Sequence, residues 1–396
     1  MESLFLAHRA PFPPDKGDRL RAFRHLKVLA RFGPVDIIAP ADSREDARIA
    51  EEGLAKICRD VWIYPRRHLP AFARVGLSLL TGGSLTEAWF GDRRVQRTMD
   101  ECLRNHDYDL VYAFSSGTGP WWRRAKAGHK IMDLCDVDAL KWEALSARSR
   151  GIRSWLYATE AHRLLPREIE LAETADLILV STPQEAADLQ KHSTPRRLQV
   201  LTNGSPWEGF VDIPPPSSVG PCLGFLGQMD YPPNVLAAKY LARKVLPLVR
   251  ETVPEASLKI FGRCPTSSVR ALQVPGQVEV TGEVADLPEA LGSLRTFVAP
   301  LDAGRGIPTK ILEAMVAGRP TIISSWSARA LDGEEGVDYL VADGVEDRAD
   351  AVVTMLQNPE VADAMGERGR KYVRQHHDWD VVLDHLEALV REVTDA

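Results

Sequence analysis

Residues 296–325, TFVAPLDAGRGIPTKILEAMVAGRPTIISS, decide the fold because they contain a complete strand, loop, helix and second strand. The apolar run 297–299 is typical of a short buried strand, and a glycine-containing loop follows it. Pro308 favours the first turn of a helix, and Gly318 lies where that helix should end. Because the run 321–323 resumes an extended apolar pattern, the stretch predicts a βαβ unit.

The helix of this unit has an apolar side and a polar side. Lys310 and Glu313 share the polar face, which points toward the loop. Backbone N–H groups at a helix start attract phosphate, and Lys310 and Arg305 add positive charge nearby. Glu313 can accept two hydroxyl hydrogen bonds from a ribose. On spacing alone, a solvated i,i+3 ion pair worth about 0.2–0.5 kcal/mol is an equally good interpretation. The buried stripe is predicted at Ile311, Leu312, Met315 and Val316.

The run GIPTKILEAMVAGRPTI at residues 306–322 resembles the nucleotide-sugar-binding segment of a known enzyme family. This is the large fourth family of retaining, metal-independent glycosyltransferases of the GT-B fold. The resemblance implies that Glu313 holds the ribose. In that family a glutamate eight residues earlier usually touches the transferred sugar, but Arg305 stands there and is expected to face the diphosphate. Donor contacts are also implied for Gly306, Ile307 and Thr309.

Composition sets bounds on the fold and on the class of protein. The chain has 396 residues, of which 44% are hydrophobic, and is long enough for two domains with separate cores. Its net charge of -6 implies no whole-chain affinity for nucleic acid. Five scattered cysteines without CxxC spacing favour a reducing compartment and argue against a zinc site. With no basic leader and no run of ~18 apolar residues, a cytoplasmic location is expected.

The first βαβ unit is predicted at the start of the chain. A strand at 4–7 leads into a loop with Gly17, and a helix runs from about Asp18 to Phe32. The resemblance places this loop beside the donor diphosphate and implies donor contacts for Gly17 and Asp18. The alternative is that the charged residues of the loop only cap or solvate the helix start. The helix is expected to bury Leu20, Phe23, Leu26, Val28 and Leu29.

Aspartates cluster at the end of a strand predicted at 129–134. Since strand ends carry functional groups in open α/β sheets, Asp133, Asp136 and Asp138 are candidate cleft residues. Many members of the resembled family have a histidine here, near the anomeric carbon, but Cys135 stands at about that place. Either Asp136 substitutes for it or the helper lies elsewhere. Asp138 is better interpreted as a helix N-cap.

The carboxy-terminal half begins with a second glycine loop. A strand at 222–226 ends at Gly227, and a glycine there lets a phosphate approach. Asn234 is predicted to cap a helix at 235–252. The resembled family carries an arginine and a lysine in this loop, which Gln228 and Asn234 replace. The resemblance therefore implies that the positive charge comes from Arg305, Lys310 or Arg263.

Two more loops follow apolar strands in this half. Gly262 and Arg263 end one strand and are candidate diphosphate contacts. Glu283 and Val284 follow the other, and by resemblance they form the turn that binds the nucleotide base. An ordinary turn before a helix capped by Asp286 is the alternative.

A proline-rich segment, PWEGFVDIPPPSSVGP, predicts a linker without a core of its own. The domains are expected at residues 1–205 and 206–375. An amphipathic helix at 376–396 should then pack back on the first domain, as in GT-B enzymes. His376 and His377 are interpreted as its solvated start.

The amino-terminal half also has material for a membrane-facing surface. Residues 66–80, RRHLPAFARVGLSLL, combine basic groups with an apolar tail. Partly buried helices packed on the core are the alternative interpretation. Aromatic residues that could add to the surface are Trp89, Phe90, Trp121 and Trp122.

The sequence patterns predict two α/β domains, and the resemblance implies the GT-B fold, in which two Rossmann-like domains face each other across a cleft. The resemblance implies a retaining transferase without metal or other cofactor, which moves sugar from a nucleotide-diphosphate donor to a glycan or polyprenyl-linked acceptor. FLGQMDYPPN and PPDKGDRLR resemble an exopolysaccharide-associated subgroup of that family. A nucleotide-sugar epimerase of related fold and a non-catalytic sugar-nucleotide-binding protein are the rival hypotheses. The expected catalytic residues are Lys310, Arg305 and Asp136.

Overall fold

A computed structural model of the chain describes residues 1–205, 207, 209–301 and 306–395. Contacts within it divide the chain into two units, each of which is described by itself.

The N-terminal unit comprises Met1–Thr202 and the residues from Val382 onward, and the C-terminal unit comprises Asn203–Val381. The chain therefore changes unit after Thr202 and again after Val381, whereas the sequence indicated changes after residues 205 and 375.

The N-terminal unit is built on a parallel sheet. Within the described residues its seven strands lie in the order β3-β2-β1-β4-β5-β6-β7. Its central strands are buried along their whole length, as expected when helices cover both faces. The strands are β1 (Ser3–Ala7), β2 (Val35–Ala41), β3 (Val61–Pro65), β4 (Leu110–Phe114), β5 (His129–Cys135), β6 (Leu177–Val180) and β7 (Leu198–Val200). The helices are α1 (Gly17–Phe32), α2 (Arg44–Leu54), α3 (His68–Thr81), α4 (Leu85–Phe90), α5 (Arg93–Asn105), α6 (Gly119–Trp122), α7 (Asp138–Arg148), α8 (Ile152–Thr174) and α9 (Pro183–Gln190).

Helix α1 buries polar side chains that the apolar spacing did not predict. Arg21 and His25 are 1% and 0% exposed, whereas Leu20 and Phe23, expected in the core, are only half-buried. Arg21 donates to both carboxylate oxygens of Asp133, at 2.9 and 3.2 Å. The inward face of α1 is therefore partly ionic.

Asp133 is a structural anion, and its prediction as a cleft residue is wrong. It is fully buried and accepts hydrogen bonds from the Tyr112 hydroxyl at 3.3 Å and the Cys135 N–H at 2.9 Å. Burial alone would raise its pKa, but the charge of Arg21 and the hydrogen bond to His25 lower the pKa to about 2. The carboxylate stays ionised because its partners replace the water it has lost.

The C-terminal unit has a second parallel sheet, in the order β10-β9-β8-β11-β12-β13 over the described residues. The strand order reverses between β8 and β11, and open α/β sheets bind ligands at such a point, outside the carboxyl ends of the strands. The strands are β8 (Cys222–Leu226), β9 (Ser257–Phe261), β10 (Val278–Gly282), β11 (Thr296–Ala299), β12 (Thr321–Ile323) and β13 (Leu340–Val341). The helices are α10 (Pro232–Tyr240), α11 (Leu246–Thr252), α12 (Ser267–Arg270), α13 (Leu287–Gly292), α14 (Thr309–Val316), α15 (Ser325–Ala328), α16 (Val345–Gln357) and α17 (Pro359–His376). A last helix, α18 (Trp379–Thr394), begins in this unit and passes into the N-terminal unit at Val382.

The helix predicted at 235–252 begins earlier and is not uniform. Helix α10 starts at Pro232, since proline suits a first helical turn, and a π-helical segment at Leu241–Val245 joins it to α11. Asn234 thus lies inside the first turn, and its prediction as the N-cap is wrong. Its side chain bonds to Gln228 and Lys310 instead.

The proline-rich segment packs on the C-terminal unit, contrary to the prediction of a linker without a core. Phe210 is 3% exposed and belongs to the hydrophobic core of this unit. The fully buried Arg319 donates to the carbonyl of Pro214. Backbone carbonyls of the prolines thereby satisfy a buried guanidinium.

His377 is buried, although the sequence indicated a solvated helix start. It is 2% exposed; its Nε2 lies 3.1 Å from the Tyr372 hydroxyl and its Nδ1 lies 3.3 Å from the Asn203 carbonyl oxygen. The Ser205 N–H also donates to the His377 carbonyl at 2.6 Å. Within the C-terminal unit, these contacts join the residues at its two chain ends.

The last helix belongs to the N-terminal unit from Val382 onward. The Arg31 guanidinium donates to Glu387 at 3.2 Å, and Arg391 lies over the Phe32 ring at 4.9 Å. Both contacts hold the end of α18 against the end of α1.

Two of the aromatic residues proposed for a membrane-facing surface lie inside the N-terminal unit. Trp121 and Trp122 are 1% and 0% exposed, because α6 packs into the core with them. The arginines that follow pair with carboxylates on the surface. In the described part of the chain, no helix is both long and apolar enough to cross a bilayer.

Candidate functional site

The predicted donor residues of the C-terminal unit meet at the carboxyl edge of its sheet. The Gly227 N–H, after β8, donates to the Phe261 carbonyl of β9 at 3.0 Å. The Gly262 N–H, after β9, donates to the Gly282 carbonyl of β10 at 2.8 Å. Neighbouring loops are therefore hydrogen-bonded side by side, and the start of α14 lies at the end of the adjacent strand β11.

Gly262 is required where two of these loops touch. Its φ is +144°, and a Cβ atom there would lie 1.6 Å from the Gly227 carbonyl oxygen. No side chain fits such a gap. The glycine after β9 thus serves loop packing, whatever else it contacts.

Lys310 is the centre of the site. Its Nζ donates to the Asn234 side-chain carbonyl at 2.7 Å and lies 4.9 Å from the centre of the Phe225 ring. The Asn234 amide donates in turn to the backbone carbonyl of Gln228 at 3.0 Å. The ammonium therefore links the first turns of α10 and α14, the helices that follow β8 and β11, the two strands at which the sheet order reverses.

Gly227 leaves the space that this bridge occupies. A Cβ atom at Gly227 would lie 2.6 Å from the Asn234 amide nitrogen and 2.9 Å from Lys310 Nζ. A larger residue would displace both groups. The sequence analysis explained Gly227 by the approach of a phosphate. The structure gives a separate steric reason, the space needed by Asn234 and Lys310.

Burial shifts the pKa of both charged groups on the polar side of α14. It lowers the pKa of Lys310 to about 8, and the Glu313 carboxylate opposes this shift. It raises the pKa of Glu313, and Lys310 opposes that shift. In each case, loss of water outweighs the attraction between the pair. Lys310 thus stays largely protonated at neutral pH and loses its charge as the pH rises through about 8.

The remaining predicted residues of the C-terminal unit occupy the rim or the core. Arg263 is exposed, and its guanidinium lies 3.4 Å from the Gln228 side-chain oxygen. Thr309 is exposed as the first residue of α14, but Ile307 is buried in the hydrophobic core and can offer a ligand only its backbone. Gly306 has a φ of +72°, which glycine adopts without strain. Arg305 lies outside the described residues.

The predicted base-binding turn follows β10. Glu283 is exposed, and Val284 is half-buried against the core. The Asp286 side chain accepts the Glu289 N–H at 2.8 Å, so α13 has the predicted cap. Base contacts at Glu283 and Val284 stay a prediction.

The predicted donor residues of the N-terminal unit lie at the start of α1. Gly17 is its first residue, and open space lies where a side chain would project. Asp18 accepts from Arg9 at 2.9 Å, and its carboxylate lies 3.7 Å from His8 Nε2. The Asp18 carboxylate therefore already has a cationic partner.

Asp136 and Asp138 accept side-chain hydrogen bonds next to β5. The Ser181 hydroxyl donates to Asp136 at 2.9 Å, and the Ser116 hydroxyl donates to Asp138 at 2.9 Å. Asp138 is the first residue of α7 and does not cap it, so the N-cap prediction is wrong.

A buried glutamate that sequence reasoning missed caps α7 instead. Glu168 of α8 accepts the N–H groups of Asp138 and Ala139, at 2.9 and 3.1 Å. Burial, with Asp138 nearby, raises the pKa of Glu168 well above its usual range. A partner 30 positions away has no local sequence signal.

Over the described residues, no group of three or more His, Cys, Asp or Glu side chains could hold a metal ion.

Comparison with known proteins identifies similar sequences and folds. Residues 220–358 match the family described as Glycosyl transferases group 1. A phosphatidyl-myo-inositol mannosyltransferase of Mycobacterium leprae (strain TN) is 31% identical over 180 residues, which are 42% of this chain and 46% of that relative. The chain spans about half the length of the curated relatives that it matches.

Solved structures resemble the whole chain at low identity. Sucrose-phosphate synthase from Thermosynechococcus elongatus superposes with a TM-score of 0.70 at 17% identity, over 100% of both chains. Anabaena HepE in complex with UDP has a TM-score of 0.69 at 14% identity, over 99% of this chain and 100% of that one. At such identities the likeness concerns the fold alone, and it confirms the predicted α/β GT-B class with two Rossmann-like domains.

The contact between Gly262 and Gly227 predicts the cost of a single methyl group. Gly262→Ala should destabilise the protein by about 3 kcal/mol, among the larger effects of single substitutions, because the Cβ atom meets a backbone oxygen. Urea unfolding monitored by circular dichroism measures the loss. Gly276→Ala is the matched control, since Gly276 has a φ of +70° but open space around it. It should cost about 1–2 kcal/mol from backbone strain alone. Equal losses in the two variants would contradict the steric argument.

Proposed function

We propose that this protein is a glycosyltransferase that moves a sugar from a nucleotide-diphosphate donor to an acceptor. The observation that carries the proposal is the Lys310 ammonium in the first turn of α14, which is bonded to Asn234 at the point where the strand order of the second sheet reverses. Anions bind at helix starts and at such points in open sheets. The match of residues 220–358 to Glycosyl transferases group 1 supports a sugar nucleotide as the anion.

The donor is proposed to bind with its diphosphate against Lys310 and its ribose against Glu313. Negative charge develops on the leaving phosphate as the sugar departs. A fixed ammonium and the N–H groups of the helix start would stabilise that charge without a metal. Arg305 and Arg263 are proposed to assist at the diphosphate. The resemblance of residues 306–322 to the retaining family is the support for a further proposal, that the sugar is transferred on its front face and keeps its anomeric configuration.

The acceptor is proposed to bind to the N-terminal unit, where Asp136 follows β5, while Gly17 and Asp18 at the start of α1 stay proposed donor contacts. A lipid-linked acceptor is favoured, because the similar protein from Mycobacterium leprae is named a phosphatidyl-myo-inositol mannosyltransferase. Glycan assembly is the proposed setting, in keeping with the resemblance of PPDKGDRLR to an exopolysaccharide subgroup.

Helix α3 provides a surface suited to a bilayer that holds such an acceptor. Leu69, Phe72 and Leu80 are 83%, 61% and 86% exposed on this helix, and Leu77 is 60% exposed. Arg67, just before the helix, is also exposed and can meet anionic headgroups. Apolar side chains next to a basic residue are typical of helices that lie in a membrane interface.

Lys310→Ala should lower turnover about 100- to 1000-fold, because it removes the cation at the leaving phosphate. The experiment follows release of nucleotide from UDP-, GDP- and dTDP-sugars, after thermal shift has identified the base that binds. Lys244→Ala, which removes an exposed lysine of the same unit, is the control and should keep full turnover. Unchanged turnover in Lys310→Ala would refute the proposed role.

Wild-type affinity for the nucleoside diphosphate should fall as pH rises through about 8, where Lys310 loses its proton. Lys310→Arg should remove that decline, since arginine stays protonated.

Glu313→Gln should weaken donor affinity about tenfold, because a charged acceptor of the ribose hydroxyls is replaced by a neutral one. Calorimetry compares the nucleoside diphosphate with its 2′,3′-dideoxy analogue, which lacks those hydroxyls. The variant should lose affinity for the first ligand and not for the second. Glu367→Gln on the exposed side of α17 is the control. A parallel loss for both ligands would exclude the ribose contact.

The combined change of Leu69, Phe72 and Leu80 to serine should reduce vesicle binding at least tenfold. Each large apolar side chain contributes about 1.5–3 kcal/mol when fully buried. Sedimentation with phosphatidylglycerol-containing vesicles measures the bound fraction. Leu236→Ser, which alters an exposed leucine of the C-terminal unit, should leave it unchanged. Equal binding by the triple variant and the wild type would rule out α3 as the docking helix.

A further inference from the structure

We propose that Asn234 is a positioning residue for anion binding: its side-chain carbonyl directs the Lys310 ammonium without cancelling its charge, so that the two remaining N–H groups face a phosphate. The role of that phosphate as part of a sugar nucleotide rests on the function proposed above. Asn234 was predicted only as a helix cap, and nothing in its immediate sequence relates it to a lysine 76 positions later.

The hydrogen bonds of Asn234 define its orientation. An ammonium group has three donors and no acceptor, so the atom at 2.7 Å from Lys310 Nζ must be the side-chain carbonyl oxygen. The amide nitrogen then donates to the Gln228 carbonyl oxygen at 3.0 Å, which an oxygen in its place could not do. Both ends of the amide are satisfied, and Asn234 is only 6% exposed. The group that holds Lys310 is therefore itself held.

The amide directs the lysine and leaves its charge intact. A carboxylate at the same place would form an ion pair, and the net charge offered to an incoming phosphate would be near zero. A side chain without a polar atom would leave the ammonium without this partner in a site where water is largely excluded. An amide carbonyl satisfies one N–H and leaves the positive charge for the ligand.

A second amide, in the loop after β8, makes a similar, weaker contact. The Gln228 side-chain oxygen lies 3.4 Å from a guanidinium nitrogen of Arg263, and both residues are exposed. The segment from Gln228 to Asn234 thus offers one amide oxygen to Lys310 and one to Arg263. Lys310 and Arg263 supply the charge, and the two amides supply their orientation.

The charged group acting on Lys310 from its own helix is Glu313, which favours the protonated ammonium. The Asn234 carbonyl favours it as well, since a hydrogen bond to the charged form raises the pKa of a base. Removing this bond should lower the pKa of Lys310 further. Replacing the amide by a carboxylate should raise it.

Two substitutions at one position separate orientation from charge. Asn234→Ala should lower the pKa of Lys310 and weaken the binding of pyrophosphate and of UDP about tenfold, the size of a hydrogen bond to a charged group. Asn234→Asp should raise the pKa of Lys310 and should also weaken the binding of both ligands about tenfold or more. The pKa is read from an NMR titration of isotope-labelled lysine, with the Lys310 signal assigned by its loss in Lys310→Arg. Affinities are measured by calorimetry at pH 7.

Asn358→Asp is the matched control, because it introduces the same charge at an asparagine of the same unit whose side-chain amide donates to the Thr354 carbonyl. It should move neither the pKa of Lys310 nor either affinity. General damage to the fold could weaken binding in both Asn234 variants, but it would not move one pKa in opposite directions. Opposite shifts together with weaker binding support the inference.

An unchanged pKa of Lys310 in both variants, or wild-type affinity for pyrophosphate in Asn234→Asp, would overturn the inference. The result for the wild type is a separate test of the proposed function. If the wild type binds neither UDP nor pyrophosphate, the sugar-nucleotide function and the anion-directing role both fail. If it binds pyrophosphate but no nucleotide or nucleotide sugar, the proposed function fails while the role of Asn234 toward phosphate stands.

Discussion

The bond between Lys310 and Asn234 is the interaction on which the candidate site depends. It joins the first turns of α10 and α14, the helices that follow β8 and β11, at the point where the strand order of the sheet reverses. The bond occupies the space that a side chain at Gly227 would fill. The carbonyl oxygen of Gly227 in turn occupies the space that a side chain at Gly262 would fill. Two glycines after β8 and β9, an amide on α10 and a lysine on α14 therefore form one arrangement, in which a side chain at either glycine would displace its neighbours.

The two units use buried charge in different ways. In the N-terminal unit, Arg21 and Asp133 are both fully buried and neutralise each other within a closed set of hydrogen bonds. Such a pair is costly to break and offers nothing to a ligand. In the C-terminal unit, Lys310 is only partly exposed, yet its main partner is neutral. Its charge stays available, which is why this lysine is suited to binding an anion and Arg21 is not.

Much of the fold could be predicted because it depends on local pattern. The apolar runs of the β11–α14–β12 unit, the proline before its helix and the glycine after it indicated those elements within a residue or so. Lys310 and Glu313 were recognisable as candidates because they share one face of a short helix. The prediction failed where a polar side chain was judged by its neighbours in sequence. Asp138 was taken as a cap, but Glu168 of another helix occupies that role.

The sequence by itself determined the two parallel sheets, the position of the glycine loops and the amphipathic helix that carries Lys310. These features follow from periodicity and from backbone preferences, which act over a few residues. Only the tertiary structure decided which polar groups are partners. Asn234 lies 76 positions from Lys310, and Asp133 lies 112 positions from Arg21. A hydrogen bond between such residues depends on how strands are ordered in a sheet, and no local pattern encodes that order.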